Sequence, residues 1–382
     1  MKSMPIAESR SRRVAVACLF TGLLAACVAQ DVDPSARRST ASLPVEASIR
    51  TAIHERIAAA MERQRIPGLQ CAMSVDGRIV FDEGFGFADL ENEVATTKDT
   101  RFRTASIAKP MTAVAVMQLV EAGRIDLDQD VRNYVQGFPE KRWKVTPRAL
   151  LGHLGGVRHY LLPGESNGTQ HYANLTASLA CFAKDPLIVK PGERYVYTTY
   201  GYTLLGCTIE SAAKAPYDRV LQEAIWSRAG MKATCVDDET RLLPQRARGY
   251  CVDGDEVRPA ALHDTSMKVP GGGLRSTAGD IVRFGIALLE DRLVSPATRA
   301  TMWTEQTTRD GKKTGYGLGF GLVDKGALRV VQHSGGQAGT ASFLRIVPAR
   351  SSVVAIMTNR EGASLGLLAS DLEQILVDSR KR

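Results

Sequence analysis

Ser106 and Lys109 stand three residues apart in Thr104-Ala105-Ser106-Ile107-Ala108-Lys109-Pro110, at the head of an apolar run from Met111 to Ala122. Pro110 has no N–H to give and is tolerated only in the first turn of a helix, so the spacing predicts a helix starting close to Ser106. Three residues make about one turn, which puts the Lys109 amine on the same face as the Ser106 hydroxyl. A serine is a weak nucleophile until a base takes its proton, and a buried lysine can be neutral enough to be that base. The helix N-terminus also aims backbone N–H groups at negative charge forming there. By spacing alone, a helix-capping serine beside a surface lysine is the plainer reading. A second Ser-x-x-Lys, Ser211 to Lys214, lies at a helical end closed by Ala215-Pro216 and reads as solvated.

Three other stretches bear on chemistry. Tyr197-Thr198-Thr199 precedes a helical run from Thr203 to Ala213. Tyr197 can share protons with a serine and a lysine if that lysine and the helix end lower its phenol pKa; otherwise it is a core-edge aromatic and Thr198 or Thr199 is a cap. His333-Ser334-Gly335-Gly336 follows a strand-like segment, and glycine-flanked strands at a sheet edge let a substrate backbone lie alongside. His333 could meet an anionic or carbonyl group there. Gly164-Glu165-Ser166-Asn167-Gly168 matches G-x-S-x-G, but Pro163 before it and Asn167-Gly168-Thr169 after it supply neither the strand nor the helix of a nucleophile elbow. The six histidines have no metal-ligand spacing, so no metal and no other cofactor is expected.

Positioning these residues requires a sheet and several helices. A helical pattern from Glu46 to Arg65 carries Ile49, Ile53, Ile57 and Met61 at i, i+4 spacing and ends at Pro67-Gly68. Leu69–Val75 and Ile79–Asp82 flank Asp76-Gly77-Arg78 as a hairpin, which Gly84–Ala88 continues. The helix from Ser106 to Ala122 is apolar nearly all round, as buried helices are, and Gly123 is its C′ residue. From residue 131 to 259 the chain reads as helical and loop-rich, with a capped helix at Thr146 to His153. Beyond it come a capped helix from Ser276 to Leu289 and strands over Tyr316–Val323, Ala327–Gln332, Ala341–Val347 and Ser352–Asn359. A closing helix over Ser364–Val377 has Leu365, Leu368, Leu372 and Leu376 on one side.

The 382 residues, 44% hydrophobic, suffice for a sizeable core, and no basic run interleaved with aromatics supports a nucleic-acid partner despite the formal charge of +8. Residues 1–26 hold Lys2, Arg10, Arg12 and Arg13 before an apolar run, Val14 to Ala26, too short to span a membrane. That is an export signal. Leu24-Ala25-Ala26-Cys27 resembles the bacterial lipoprotein box, with Cys27 as the lipid-carrying first residue; a plain signal peptide is the other reading. Residues 27–44 read as a flexible tether. The expected location is the bacterial periplasm, lipid-anchored, with Val28 after Cys27 compatible with outer-membrane sorting. Cys71, Cys181, Cys207, Cys235 and Cys251 remain in the folded part, an odd number, with Cys235–Cys251 and then Cys181–Cys207 as the expected pairs.

Ser106-Ile107-Ala108-Lys109, Tyr197-Thr198-Thr199 and His333-Ser334-Gly335, in that order, resemble the serine β-lactamase and penicillin-binding-protein superfamily, in its class C-like branch with family VIII esterases and D-aminopeptidases. The likeness is greatest to the mitochondrial β-lactamase-like serine protease and its bacterial relatives, and it runs from about Val45 to the end. Leu150 to Tyr160, Tyr200 to Gly206, Gly272 to Thr277 and Gly335 to Gly339 support it. The resemblance implies an α/β fold: an antiparallel sheet covered by the first and last helices (45–130 and 260–378), with an all-α domain inserted at 131–259. It implies that Ser106 is acylated and that Lys109 and Tyr197 share the base and acid work. It further implies that the N–H groups of Ser106 and Gly336 form the oxyanion hole and that His333, Ser334, Gly335 and Thr199 border the substrate. Class C β-lactamases carry Asn in place of Thr199 and Lys-Thr-Gly in place of His333-Ser334-Gly335, and a histidine is mostly neutral at pH 7 where a lysine is a fixed cation. The expectation is therefore a peptidase or esterase acting on a small peptide, ester or cell-wall-derived substrate. A genuine β-lactamase and a catalytically silent protein that binds peptides or cell-wall fragments stand as alternatives.

Overall fold

In the computed structural model, residues 46–162 and 164–379 are described, all within one compact unit, 42–382. The export signal, the tether and Cys27 lie outside the described residues. The chain opens with α1 (Ala47–Gln64), then β1 (Gly68–Val75), β2 (Arg78–Asp89), β3 (Val94–Ala95) and β4 (Phe102–Arg103). The β1–β2 turn is Asp76-Gly77, at φ 48° and 73°, the left-handed pair that tight hairpins require. A 3₁₀ turn at Ala105–Ile107 leads into α2 (Ala108–Glu121), which is buried on all sides over its first ten residues and ends before Gly123 at φ 67°.

Five helices follow, four of them short: α3 (Pro147–Leu151), α4 (Leu175–Ser178), the 14-residue α5 (Tyr200–Ala213), α6 (Tyr217–Leu221) and α7 (Ser227–Ala229). Thr146 caps α3 as expected, its hydroxyl accepting from the Ala149 N–H. The segment 131–259 is not helical throughout. Its last part forms β5 (Cys235–Val236) and the hairpin β6 (Tyr250–Asp253) and β7 (Glu256–Pro259). Strands of two to four residues are too short to show an alternating pattern, which is why sequence periodicity missed them.

The chain then returns through α8 (Val269–Gly272), β8 (Leu274–Ser276), α9 (Ala278–Leu289) and α10 (Pro296–Met302), and finishes with β9 (Gly321–Lys325), β10 (Leu328–Gln337), β11 (Thr340–Val347), β12 (Ser352–Thr358) and α11 (Gly366–Ser379). Seven strands make one antiparallel sheet in the order β3-β2-β1-β12-β11-β10-β9, and β4, β8 and β5 make a small second one. Period-2 alternation sends Val354 and Ile356 of β12 toward α1 and α11, and Val353, Ala355 and Met357 toward α9. The α9 side is continuous with α2 and α5, so the helical segment and the sheet share one core.

Two further expectations are corrected. Tyr316 to Phe320 is not strand. Tyr316, Leu318 and Phe320 are buried and mimic a strand pattern, but Gly319 lies at φ +88° with only 2.3 Å between its would-be Cβ and Ala113, so the loop packs directly on α2. The hairpin turn is accordingly Gly326-Ala327. Neither expected disulfide forms: Cys71, Cys181, Cys207, Cys235 and Cys251 are all free. Cys235 sits on β5, paired with β8, and the Cys251 thiol meets the Pro259 carbonyl of its own hairpin.

Candidate active site

Ser106 sits in the middle of the 3₁₀ turn, partly exposed, one residue after Ala105 at φ 45°. A non-glycine residue at positive φ is strained and is held only by its surroundings. Here the surroundings are close. Thr104 donates its N–H to the Leu274 carbonyl, and its own carbonyl accepts from Ser342 Oγ at 2.6 Å. A Cβ at Gly335 would stand 2.2 Å from Ser342 Oγ and 2.5 Å from the Thr104 carbonyl, so β10 lies against the turn only because that residue is glycine.

Lys109, one turn into the helix, is 0% exposed. Its amine donates to Ser106 Oγ at 3.0 Å, to Thr199 Oγ1 at 3.3 Å and to the Gly271 carbonyl at 2.7 Å. None of these partners is a carboxylate; the charged amine would donate in all three contacts, whereas the neutral amine keeps two N–H donors and accepts the Ser106 hydroxyl on its lone pair. Burial, with the charge of Lys268 adding to it, pushes the Lys109 pKa well below its ordinary value. A neutral amine hydrogen-bonded to a hydroxyl is what a general base for serine requires. The Gly271 contact again depends on glycine, since a Cβ there would stand 2.6 Å from Thr199 Cγ2.

The structure brings Tyr197 to the same cluster: the Lys109 amine is 4.8 Å from its ring centroid, and its phenol feels the Ser106 hydroxyl. Its pKa moves the opposite way from the expectation. Burial raises it, and the influence of the Ser106 hydroxyl offsets this only in part, so the phenol keeps its proton. His153, which sequence reasoning passed over, holds this tyrosine. Its carbonyl accepts from the Val196 N–H at 2.8 Å, its Nδ1 accepts from the Thr198 N–H at 3.1 Å, and its ring packs 4.3 Å from the Tyr197 ring. Thr198 Oγ1 accepts from the Gly201 N–H, capping a helix that starts three residues before the expected Thr203.

His333 lies behind this cluster. It is 6% exposed, its Nδ1 meets the Ser334 carbonyl at 2.7 Å and its Nε2 meets Tyr316 Oη at 2.9 Å. A carbonyl only accepts, so Nδ1 carries the proton and the Tyr316 hydroxyl donates to Nε2. Burial and then the Lys109 charge lower the His333 pKa to about 3, so the ring is neutral. Both nitrogens are engaged within the protein, leaving none for an anionic or carbonyl group.

Ser106 opens into a groove of about 410 Å³. Gly336, Gln337 and Ala338 of the sheet edge line it, whereas His333, Ser334 and Gly335 do not; a Cβ at Gly336 would meet nothing within 4 Å. The other wall holds His159, Tyr160, Ser166, Thr199 and Lys268. Ser166 thus borders the groove from a turn, without the strand–turn–helix of an elbow. Ser211 sits at the exposed end of α5, as expected. The loops after residue 163 and before Val269 are tied together here, the Asp264 N–H donating to the Gly168 carbonyl at 2.9 Å and the Tyr172 N–H to Ser266 Oγ at 2.8 Å. Among the described residues no group of three or more His, Cys, Asp or Glu side chains is placed to hold a metal.

Comparison with known proteins gives the family and the fold. The family model described as Beta-lactamase matches residues 53–375. The human serine beta-lactamase-like protein LACTB, mitochondrial, is 29% identical across 79% of this chain and 75% of its own length. Penicillin-binding protein 4 of Amycolatopsis lactamdurans is also 29% identical, across 80% and 84%. Among solved structures, D-amino acid amidase from Ochrobactrum anthropi SV3, complexed with L-phenylalanine amide, superposes with a TM-score of 0.74 at 23% identity, covering 87% of this chain and 99% of that one. That likeness is one of fold.

Proposed function

The chain belongs to the β-lactamase family and is a serine hydrolase, and from that premise we propose that it is an envelope peptidase or esterase working through an acyl-enzyme on Ser106. The observation that carries this reading is the 3.0 Å bond from a fully buried, carboxylate-free Lys109 amine to the Ser106 hydroxyl. Lys109 takes the hydroxyl proton as Ser106 attacks the substrate carbonyl. The N–H groups of Ser106 and Gly336 receive the oxyanion. Tyr197, protonated in its buried site, donates to the leaving group and is reprotonated by Lys109, which returns the amine to its neutral form. Water then attacks the ester on Ser106, with Lys109 again as base. Hydrolysis of β-lactams is disfavoured by the neutral, fully engaged His333, which offers no cation at the sheet edge.

The test is intact-mass spectrometry after exposure to a fluorophosphonate. One adduct on the parent and none on Ser106→Ala is expected. A folded parent without an adduct would support the silent binding protein instead.

Envelope location rests on residues 1–26 and on Cys27, and the similarity to a bacterial penicillin-binding protein supports it. Metabolic labelling with a fatty-acid analogue in a bacterial host should mark the full chain and leave Cys27→Ser unmarked; equal labelling of both would refute the anchor.

A further inference from the structure

Lys268 ends a short 3₁₀ turn, Ser266–Lys268, directly before α8, and it borders the groove into which Ser106 opens. It is 3% exposed. Its amine donates to the Ser166 carbonyl at 2.6 Å and stands 5.8 Å from the Tyr160 ring centroid. An ammonium has three donors, and one is used here. Among the described residues no carboxylate forms an ion pair with it.

The acids nearest to Lys268 are already committed. Asp237 accepts from Arg103 and Arg275, and Asp264 accepts from His171 and from the Ser266 N–H. Glu361, which borders the same groove, accepts a 3.4 Å bond from the Gly339 N–H and does not pair with Lys268. The other basic groups around the serine are pushed toward their neutral forms: Lys109 lies well below its ordinary pKa, His159 at about 4 and His333 at about 3, burial being the first cause in each case. Lys268 is itself lowered to about 8 by burial and by the charge of Arg103, which leaves it mostly protonated at pH 7. A buried cation with spare donors and no counter-ion is costly unless something else supplies the negative charge.

We infer that Lys268 is the anchor for a carboxylate of the substrate, such as the free C-terminus of a short peptide, held by a charge-assisted bond on the loop wall of the groove rather than at the sheet edge. The inference rests on the acyl-enzyme reading of Ser106 and narrows its substrate class: acyl donors or leaving groups that carry a carboxylate are preferred over their neutral counterparts.

Two matched pairs of esters test this, one bearing the carboxylate on the acyl side and one on the leaving-group side, each beside its methyl ester. The ratio of kcat/KM, carboxylate over neutral, is measured at pH 7 for the parent, Lys268→Met, Lys268→Gln and Lys268→Arg. The parent should favour the carboxylate in one pair by about 10-fold or more. In Met and Gln variants that ratio should fall toward one, chiefly through KM, and Arg should restore part of it. A parent ratio of one or less in both pairs, or a ratio unchanged in the Met and Gln variants, overturns the anchor. The parent's own ratio needs no variant to fold. Fluorophosphonate labelling of the parent separates the two readings: an adduct without carboxylate preference sinks the anchor alone, whereas no adduct sinks the acyl-enzyme reading beneath it.

Discussion

The chemistry assigned to Ser106 depends on one amine losing its charge. Lys109 is buried without a carboxylate, and its pKa lies well below the ordinary lysine value, so the neutral form is far easier to reach than for an exposed lysine. The pH dependence of kcat should follow that group, with activity lost as the pH falls through the lowered pKa and the amine takes up a proton. Lys109→Met and Lys109→Arg should each reduce kcat/KM by about 10²–10⁴. The arginine is no rescue because a guanidinium stays protonated throughout the range. Steady-state kinetics on an activated ester would check both, and an arginine variant near parental activity would remove Lys109 from the role of base. Which residues could react was largely legible in the chain: Ser106, Lys109 and Tyr197 do converge. The direction of the Tyr197 shift was not, because sequence says nothing of how completely a ring is buried.

Among the elements, the placement of β10 matters most. The N–H of Gly336 is useful only if the strand lies against the turn that holds Ser106, and Gly335 permits that approach. Gly335→Ala would force a Cβ to within 2.2 Å of Ser342 Oγ and 2.5 Å of the Thr104 carbonyl, so the strand or the strained turn at Ala105 must shift. We expect a stability loss of about 1–3 kcal/mol by overpacking, and a loss of kcat larger than any change in KM. Gly336→Ala meets open space and should melt close to the parent. Thermal melts of both variants with ester kinetics on Gly335→Ala would decide; an active, fully stable Gly335→Ala would mean that β10 is not held this way. Long periodic elements were legible in the chain, among them α1, α2, α9 and α11. The short strands β5 to β7 and the false strand at Tyr316 were not: β5 depends on β8 far along the chain, β6 and β7 form a local hairpin too short to show alternation, and a glycine at φ +88° breaks the strand at Tyr316.

For the molecule as a whole, burying neutral histidines around one shared core has a consequence for stability. His153, His263 and His333 are each no more than 6% exposed. His263 and His333 are lowered to about 3 and His153 lies well below its ordinary value, with burial as the first cause for all three. Above pH 6.5 neither the folded nor the unfolded chain protonates these rings, and their contribution to stability is whole. Below 6.5 the unfolded chain takes up protons that the folded one refuses, so stability falls with pH until the folded values are reached. Each ring can contribute up to about 1.4 kcal/mol per pH unit in that window. Urea unfolding at pH 7.5, 6 and 5 should show a midpoint that declines only below about 6.5; an unchanged midpoint at pH 5 would mean that these rings are protonated in the fold.

By itself the sequence determined the candidate trio Ser106, Lys109 and Tyr197, the helices near it and the family, because a Ser-x-x-Lys turn and an apolar helix are local facts of spacing. Tertiary structure alone decided the rest: that His333 is spent on Tyr316, that His153 clamps Tyr197, and that Lys268 is the cation left in the groove. Each of these depends on which distant residue takes a hydrogen bond or removes water, and burial and partners are set only once the chain has packed.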